Sequence, residues 1–318
     1  MKKVLSGIHE AIGGTPMINL SRLVGVHNLK GRIYAKLEYL NPGFSKKDRI
    51  ALQIIEEAEK SGELKKGQAV VELTSGNTGT GLSIVCAVKG YRFTAVMSKG
   101  NSPERARMMR ALGAEVVLVN QAPGSVVGQV SGEDLALVEK ETQKIVKELG
   151  AFRADQFNRI GNVHSHEYYT GEEMWEQSEG NIDAYLDFAG TGGTFIGCAK
   201  ALRKHKPEIR CYLVEPATAA YLSGDYITNP NHRIQGGGYN MELPLVEKQY
   251  VTDYIKVSDE EAMETARQLA SFEGVFAGFS SGANVAAAIK LLENKEKGNT
   301  IALTINDSGL KYLSTDLY

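Results

Sequence analysis

Short apolar runs alternate with longer amphipathic segments along most of the chain. Arg32 to Leu37 has the character of a β-strand, whereas Asp48 to Leu64 carries apolar residues at helical spacing. The same patterns predict strands at 69–73, 92–97, 115–119, 184–188, 210–214 and 300–305. They predict further helices at 78–89, 102–113, 194–205, 258–273 and 281–292. This regular order of strand and helix indicates an α/β fold, with mainly parallel sheets covered by helices on both faces.

Glycine, serine and proline mark several element ends. Ser102 and Pro103 are typical of a helix N-cap and first turn, and Ser258 with Glu261 forms a capping-box pattern. Residues 123–133 are rich in glycine, a composition that predicts a flexible loop. No repeat, low-complexity tract or linker divides the chain. We therefore expect two interleaved three-layer domains with a cleft between them.

Composition narrows the class of protein. The 318 residues are 42% hydrophobic and 23% charged, values typical of a globular protein. A net charge of −2 gives no reason to expect nucleic acid or an anionic membrane as a partner. No apolar run approaches the roughly 20 residues needed to span a bilayer. Residues 1–10 are basic but lack the long apolar region of a signal peptide, which favours a cytoplasmic protein.

Neither the cysteines nor the histidines form a metal-binding pattern. Cys86, Cys198 and Cys211 are odd in number and far apart, which argues against a disulfide framework. Cys86 and Cys198 lie in apolar helical segments, so we expect them to be small buried residues. His164 and His166 lack a third ligand at helical spacing and are interpreted as packing or surface residues. No metal is predicted.

Two glycine- and hydroxyl-rich loops each join a predicted strand to a predicted helix. The loop Gly190 to Thr194 suits a phosphate, because glycines allow close backbone approach and a helix N-terminus offers free N–H groups. Its spacing fits neither the P-loop nor the dinucleotide fingerprint, and a merely tight turn is the alternative. The loop Thr74 to Gly79 suits a carboxylate or phenolate oxygen, with an elaborate helix cap as the alternative.

Two adjacent lysines precede these loops. Lys46 and Lys47 are most simply interpreted as solvated charges at a helix start. An imine-forming lysine would need a lowered pKa, which burial or neighbouring cations can supply. The residues alone do not choose between the two lysines. A third small-residue loop, Ser280 to Ala283, follows late in the chain.

Taken in order, these motifs closely resemble the fold type II pyridoxal-phosphate enzymes. The nearest group is similar to cysteine synthase (O-acetylserine sulfhydrylase) and its relative cystathionine β-synthase. The resemblance covers almost the whole chain. Its motifs include Ile12 to Pro16, Leu40 to Gly43, Ser102 to Arg105, Asp155 to Phe157, Thr170 to Trp175 and Asp307 to Thr315.

The resemblance implies a role for individual residues. The family pattern Ser-Xaa-Lys-Asp-Arg places the Schiff-base lysine at Lys47 and not at Lys46. The implied cofactor contacts are Asn77 at the 3′ oxygen, Gly190, Thr191, Gly192, Gly193 and Thr194 at the phosphate, and Ser280 at the pyridine nitrogen. The implied substrate contacts are Thr74, Ser75, Thr78 and Gln156 at the α-carboxylate, together with Gly238 and Tyr239.

The resemblance also implies a domain arrangement and an assembly. Residues 1–42 and 151–318 would form the larger, pyridoxal phosphate-binding domain, and residues 43–150 a smaller mobile domain. The cofactor would lie in the cleft between them, and closure of the smaller domain would exclude water. A homodimer acting on small amino-acid substrates is expected.

The implied reaction is β-replacement on an activated serine, O-acetylserine or similar. It would make cysteine or a close analogue through an α-aminoacrylate intermediate, with Lys47 as general base at the α-carbon. A serine at the pyridine nitrogen, unlike a carboxylate, does not hold a proton there. The ring is then a weaker electron sink, which favours direct β-elimination.

Other activities stay open. A cystathionine β-synthase-like or cysteine desulfhydrase-like enzyme would release hydrogen sulfide from cysteine. A serine or threonine dehydratase is less expected, because its lysine motif usually has an aromatic residue before the lysine and no counterpart of Asp48. The intact Lys47 argues against a non-catalytic homologue.

Three departures from the family pattern bear on the substrate. Lys46 stands where relatives usually carry a small or apolar residue. The loop Gln235 to Asn240 differs from the usual Gly-Ile-Gly-Ala-Gly, and its Tyr239 is closer to the cystathionine β-synthase pattern. The region Gly124 to Asp134 is longer than in simple cysteine synthases, and is expected to reshape the cleft mouth or the dimer edge.

Overall fold

The structure is a computed structural model that describes residues 4–126 and 128–318, and over these residues the chain forms two β-sheets flanked by helices. The strands are β1 (Met17–Asn19), β2 (Arg32–Leu37), β3 (Val70–Leu73), β4 (Phe93–Ser98), β5 (Glu115–Val119), β6 (Phe152–Arg153), β7 (Ala184–Phe188), β8 (Arg210–Pro216), β9 (Asp253–Val257) and β10 (Thr300–Ile305). The helices are α1 (Ser21–Val26), α2 (Lys47–Ser61), α3 (Asn77–Lys89), α4 (Pro103–Ala111), α5 (Gly132–Leu149), α6 (Gly161–Ser165), α7 (Gly171–Gln177), α8 (Gly193–His205), α9 (Asp259–Glu273) and α10 (Phe279–Glu293).

The larger sheet takes strands from both ends of the chain. Within the described residues its order is β1-β2-β10-β7-β8-β9. Strand β1 pairs antiparallel with β2, and the remaining neighbours are parallel. Strand β10 therefore lies between β2, from the N-terminal part of the chain, and β7, from its C-terminal part. Because β7 and β10 are parallel, the loops that follow them leave from the same edge of the sheet.

The smaller sheet is parallel and has the order β5-β4-β3-β6 in the part of the chain that the structure describes. Its last member, Phe152–Arg153, pairs with β3 and lies just beyond residue 150, the expected limit of the smaller domain. The domain limits stay a prediction, and we propose that the chain returns to the larger unit after this short strand.

Each sheet forms the middle of three layers. In the larger sheet, Leu186 belongs to the same core as α9 and α10, whereas its neighbour Tyr185 belongs to the core of α7 and α8. In the smaller sheet, Val70 packs in the core of α2 and α3, whereas Val71 shares a core with α5. Because successive strand residues face opposite sides, helices cover both faces. The α/β fold class predicted from the sequence is confirmed.

Most predicted elements are confirmed. The strands at 32–37, 115–119, 184–188 and 300–305 have the predicted bounds, and the capping box of Ser258 and Glu261 is formed. Helix α2 ends three residues earlier than predicted, because Gly62 takes the left-handed conformation that stops a helix.

The loop predicted at 123–133 is wrong at its C-terminal end. The Ser131 Oγ accepts a hydrogen bond from the Asp134 N–H, and the Asp134 carboxylate accepts one from the Ser131 N–H, so the helix α5 begins at Gly132. Glycine and serine are typical of loops, but serine is also a preferred N-cap, and this second role decides the structure here. Val127 lies outside the described residues.

All three cysteines are buried and free. Cys86 and Cys198 lie in the cores of α3 and α8, as predicted. Burial raises the pKa of the Cys86 and Cys211 thiols to about 12. None of the helices in the described part of the chain combines the length and the apolar character that crossing a bilayer requires.

Candidate active site

The loops after β3 and β7 meet the N-terminal end of α2 around a hollow of about 390 Å³. Ligands of α/β proteins bind at such carboxyl ends of parallel strands. The residues that line the hollow are Lys47, Leu73, Thr74, Ser75, Asn77, Thr78, Arg105, Gln156, Phe157, Thr191, Gly236 and Tyr239. Eight of the predicted site residues thus line the same hollow.

Lys47 is the first residue of α2 and is partly exposed to this hollow. A methyl group placed on Gly190 would lie 3.9 Å from the Lys47 Nζ, so the lysine reaches the predicted phosphate loop. Burial, and next the charge of Lys46, lower the pKa of Lys47 from 10.5 to about 7. A large fraction of this amine is therefore neutral near pH 7, which is what imine formation requires.

Lys46 takes a different environment. Its side chain is buried away from the hollow, and Nζ lies 2.6 Å from the Asp187 Oδ2. The sequence alone did not distinguish the two lysines, whereas in the structure only Lys47 of the two lines the hollow.

The loop after β3 presents hydroxyl groups at one end of the hollow. The Thr74 Oγ1 accepts hydrogen bonds from the Gly76 and Gly79 N–H groups, both at 2.9 Å. Thr78 Oγ1 donates to Gln156 Oε1 at 2.5 Å, which ties the loop to the segment after β6. Helix α3 begins at Asn77, so backbone N–H groups of its first turn face this region.

Glu72 supports this end of the hollow from below and was not found from the sequence. Its carboxylate accepts hydrogen bonds from the backbone N–H groups of Asp155 and Gln156 at 2.6 and 3.2 Å. It is fully buried, and burial raises its pKa to about 7 although Arg153 lies within 3.2 Å. The position of Gln156 therefore depends on a buried carboxylate in strand β3, where a lone glutamate gives little signal.

The Asn77 amide is held by two partners from the C-terminal segment. Asn77 Nδ2 donates to Asp307 Oδ2 at 2.8 Å, and the Lys311 Nζ donates to Asn77 Oδ1 at 2.7 Å. Lys311 also donates to the Gly43 carbonyl at 2.8 Å, and its burial lowers its pKa to about 8. Sequence reasoning used Asp307 and Lys311 only as a family motif, and the structure gives them a place behind the hollow.

The glycine loop opens α8 as predicted. Gly192 has a φ of 83°, and a Cβ on Gly193 would lie 2.1 Å from the Asn162 Oδ1, so that only glycine fits at Gly193. The Asn162 Nδ2 donates to Thr191 Oγ1 at 2.8 Å. Loop and helix N-terminus form a cradle of the kind that accepts an anion.

His166 lies behind this cradle. Its Nε2 is 3.1 Å from the Thr194 Oγ1 and its Nδ1 is 2.9 Å from the Thr170 Oγ1. The side chain is fully buried, and burial lowers its pKa well below the usual value, so it is neutral. His164 pairs with Glu57 at 2.8 Å and stacks on Tyr168. The described residues contain no group of three or more His, Cys, Asp or Glu arranged to hold a metal ion.

Six predicted residues do not line this hollow: four of the glycine loop (Gly190, Gly192, Gly193 and Thr194), together with Ser280 and Gly238. Ser280 is the second residue of α10 and is 8% exposed, and its Oγ accepts a hydrogen bond from Asn306 Nδ2 at 3.0 Å. Gly238 lines a neighbouring hollow, whereas Gly236 lines the main one. Tyr239, which follows Gly238, extends its hydroxyl to 3.0 Å from the Ser75 Oγ.

The mouth of the cleft is lined from both sides. Gly128 to Val130, from the region predicted to reshape the mouth, and His232 to Gly237 line a second hollow of about 330 Å³. It shares Ser75, Gly236 and Tyr239 with the main hollow. The contact between Tyr239 and Ser75 therefore lies between the two hollows.

Comparison with known proteins gives a consistent family. A family model described as pyridoxal-phosphate dependent enzyme matches residues 8–307. A cysteine synthase of Staphylococcus aureus is 41% identical over 319 residues, which cover 100% of this chain and 98% of the relative.

Solved structures give the same result. A cysteine synthase from Entamoeba histolytica has a TM-score of 0.91 at 36% identity and covers 100% of this chain and 91% of its own. A hydrogen sulfide-producing enzyme from Fusobacterium nucleatum has a TM-score of 0.89 at 36% identity, with 98% and 100% covered.

The residues in the hollow suit the cofactor of this family. A glycine cradle at the start of α8 fits a phosphate group. Beside it, an amine with a pKa of about 7 fits an aldehyde that must form an imine. The chain therefore belongs to the family of pyridoxal-phosphate dependent enzymes, and pyridoxal phosphate is its cofactor.

Proposed function

We propose that the protein catalyses β-replacement on an activated serine, O-acetylserine or a close analogue, and so makes cysteine or a similar β-substituted amino acid. The observation that carries this proposal is Lys47, an amine with a pKa of about 7 in a hollow lined by hydroxyl and amide groups. Similarity to cysteine synthases over the whole chain supports it.

Pyridoxal phosphate, when bound, supplies an electron sink for bond breaking at the α-carbon of an amino acid. Lys47 would hold the cofactor, and its neutral amine would take the proton from the α-carbon of the substrate as general base. Its lowered pKa suits this role, because an amine can accept a proton only when it is unprotonated at the working pH. We propose that Asn77, Ser280 and the loop Gly190 to Thr194 also contact the cofactor.

The substrate's carboxylate is proposed to bind the loop after β3. Thr74, Ser75, Thr78 and Gln156 all line the same hollow as Lys47. They offer hydroxyl and amide donors, and the first turn of α3 adds backbone N–H groups. A carboxylate held there would present the α-carbon to the lysine and the β-carbon to the side of the hollow that Tyr239 closes.

A second candidate is a cystathionine β-synthase-like or cysteine desulfhydrase-like activity, which releases hydrogen sulfide from cysteine. Tyr239 favours it, because a tyrosine replaces the small residues that relatives usually carry in this loop and its hydroxyl contacts Ser75 at 3.0 Å. A hydrogen sulfide-producing enzyme is also among the similar structures. Gly238, beside Tyr239, is proposed to shape the same end of the site.

The first test is a donor screen. O-acetylserine, O-phosphoserine, serine and cysteine are each mixed with the cofactor-loaded protein, with and without sulfide, and amino-acid products are measured by chromatography. We expect cysteine to form fastest from an activated serine with sulfide. Sulfide release from cysteine alone as the fastest reaction would favour the second candidate, and no β-substituted product from any donor would remove the proposal.

Lys47→Ala is the matched test of the catalytic residue. Turnover should fall by about 10²–10⁴-fold or more, because the general base is lost, and the visible absorbance of the lysine-bound cofactor should disappear. Lys47→Arg keeps the charge and should be equally inactive, since a guanidinium stays protonated. Normal turnover in either variant would reassign the catalytic lysine.

Assembly and location are proposed on the resemblance alone. We expect a homodimer, which sedimentation would show as twice the chain mass of 34.6 kDa. A monomer at micromolar concentration would contradict it. The reaction is proposed to take place in the cytoplasm.

A further inference from the structure

Arg105, in the first turn of α4, is a buried cation at the wall of the main hollow. The residue is only 1% exposed. Its Nη1 donates to the Ser75 carbonyl at 2.6 Å, and its guanidinium lies over the Tyr312 ring, 4.9 Å from the ring centre. Neither Nε nor Nη2 has a hydrogen-bond partner within residues 4–126 and 128–318. One side of the guanidinium is therefore unpaired in the described chain.

Two other arginines show what this side of a guanidinium binds. Arg49 holds the two carboxylate oxygens of Glu38 with Nε and Nη2, at 2.7 and 2.8 Å. Arg210 holds Glu296 with the same two nitrogens, at 2.5 and 2.6 Å. Each pair is a fork of two parallel hydrogen bonds to one carboxylate. Arg105 presents the same fork, and no protein carboxylate occupies it in the described part of the chain.

A buried guanidinium without an anionic partner lowers the stability of a fold. The charge loses its hydration and gains no opposite charge in return, and the Tyr312 ring offsets only part of this loss. Arg105 borders a hollow, however, which gives a ligand room to reach it. The fork suits a ligand that brings a negative charge spread over two oxygens.

The surroundings of Arg105 indicate which part of a substrate this is. Ser75 is contacted by Arg105 at its carbonyl and by Tyr239 at its Oγ, 3.0 Å from the tyrosine hydroxyl. In the proposed function the β-carbon of the substrate faces Tyr239, and the α-carboxylate has its own donors in the loop after β3. A hydrosulfide ion offers a single sulfur atom and cannot fill both arms of the fork. The group on the β-carbon remains.

We propose that Arg105 is a further catalytic residue, which binds the oxyanion leaving group of the donor through Nε and Nη2. The inference rests on the proposed function, because it requires a donor that is activated as an ester. It assigns the donor to one chemical class, a serine whose β-oxygen carries an acyl or a phosphoryl group.

The step is a β-elimination. Lys47 takes the proton from the α-carbon, and the electron pair of that C–H bond forms the Cα–Cβ double bond. The Cβ–O bond breaks, its electron pair stays on the oxygen, and the group leaves as a carboxylate or a phosphate. The oxygens carry more negative charge after the bond has broken than before. The fork therefore binds them more tightly as the reaction proceeds, and such an interaction lowers the barrier.

The test compares donors that differ only in the leaving group. kcat/KM is measured with sulfide for O-acetylserine, O-phosphoserine and β-chloroalanine, on the cofactor-loaded protein and on Arg105→Met. The variant should lower kcat/KM by about 10²–10³-fold for the ester that the unchanged protein prefers. β-Chloroalanine should be affected much less, because chloride is a far weaker base and needs less stabilisation as it leaves. The preferred ester distinguishes a carboxylate from a phosphate leaving group.

Equal losses for the ester and for β-chloroalanine would overturn the proposal. Such a result would assign Arg105 to the α-carboxylate or to the fold, because these are common to all three donors. Turnover of β-chloroalanine also shows that a variant is folded.

Arg105→Lys serves if Arg105→Met does not fold. It keeps the positive charge but loses the fork, so the ester should still react more slowly while β-chloroalanine reacts almost normally. An unchanged rate with the ester would exclude a role for the fork. Arg107→Met, at an exposed position of the same helix, is the matched control and should leave every donor unaffected.

The proposed function can fail on its own in the same experiment. If the unchanged protein forms no product from either ester but turns over β-chloroalanine, the proposed donor is wrong. If an ester reacts at a rate that does not depend on Arg105, the proposed function stands and only the role of Arg105 is rejected.

Discussion

Lys46 and Lys47 are neighbours in the chain, and yet their surroundings make them chemically different. The Lys46 Nζ lies 2.6 Å from the Asp187 Oδ2, in a buried ion pair. Lys47 lies at the edge of the hollow, and burial together with that neighbouring charge lowers its pKa to about 7. One lysine thus serves as the fixed cation that helps its neighbour to lose a proton.

The lowered pKa predicts how the protein takes up its cofactor. The rate of imine formation by cofactor-free protein should rise with pH up to about 7 and then level off, because the neutral amine is the reacting form. Stopped-flow absorbance measures this rate. For N-acetyl-lysine mixed with the cofactor under the same conditions, the rate of imine formation should keep rising with pH toward the ordinary lysine pKa of 10.5. A protein that follows the N-acetyl-lysine profile would show that Lys47 is not perturbed.

At the scale of elements, the two strand-to-helix loops were the best sequence signals. Both were predicted from glycine and hydroxyl residues between a strand and a helix, and both open helices in the structure, at Asn77 and Gly193. Helix α5 was not predicted, because the glycine-rich approach to it resembles a loop until Ser131 and Asp134 are seen to cap it. Local composition thus predicts an element well only where its residues favour one kind of structure, and serine, which favours both loops and helix N-caps, does not.

Gly193→Ala should abolish tight cofactor binding. The added methyl would lie 2.1 Å from the Asn162 Oδ1, so that the start of α8 or Asn162 must move and the cradle is deformed. Equilibrium dialysis or fluorescence titration with pyridoxal phosphate measures the affinity. Gly25→Ala in α1, where the methyl would meet nothing within 4 Å, is the matched control and should bind normally. Unchanged affinity in Gly193→Ala would argue against this loop as the phosphate site.

At the scale of the whole molecule, the C-terminal segment joins the two sheets. Lys311 Nζ binds the Gly43 carbonyl and Asn77 Oδ1, and the Ser102 Oγ donates to the Lys311 carbonyl at 2.9 Å. Ser314 adds a contact to Glu104 at 2.8 Å. The end of the chain therefore holds α3 and α4 of the smaller unit against the larger one, directly behind the hollow.

Lys311→Met should lower the free energy of unfolding by about 1–3 kcal/mol, because it leaves the Gly43 carbonyl and the Asn77 Oδ1 without their hydrogen-bond donor. Urea unfolding of the cofactor-free protein measures this. Lys144→Met, at an exposed pair with Glu141, should stay within about 1 kcal/mol of the original. Equal loss in both variants would contradict a structural role for the buried lysine.

The sequence predicts the fold and the site residues that lie in loop motifs, but it does not predict the buried polar residues that lie in strands. Lys47, Asn77 and Thr191 lie in motifs and were predicted, and all line the hollow. Asp187 and Thr304 were not singled out, since a polar residue in a short strand gives no sign of whether it faces solvent or a buried partner. Their partners are more than a hundred residues away in the chain, and only the folded arrangement brings them together.

Cys86, Cys198 and Cys211 keep the protein's own sulfur apart from the sulfur of its proposed substrates. Buried thiols with raised pKa values form almost no thiolate near neutral pH, and the thiolate is the form that reacts with disulfides and oxidants. A folded sample should therefore give no colour with a disulfide thiol reagent and three equivalents after unfolding. The same reagent can then measure the thiol produced during turnover, because the cysteines of the folded protein do not react with it.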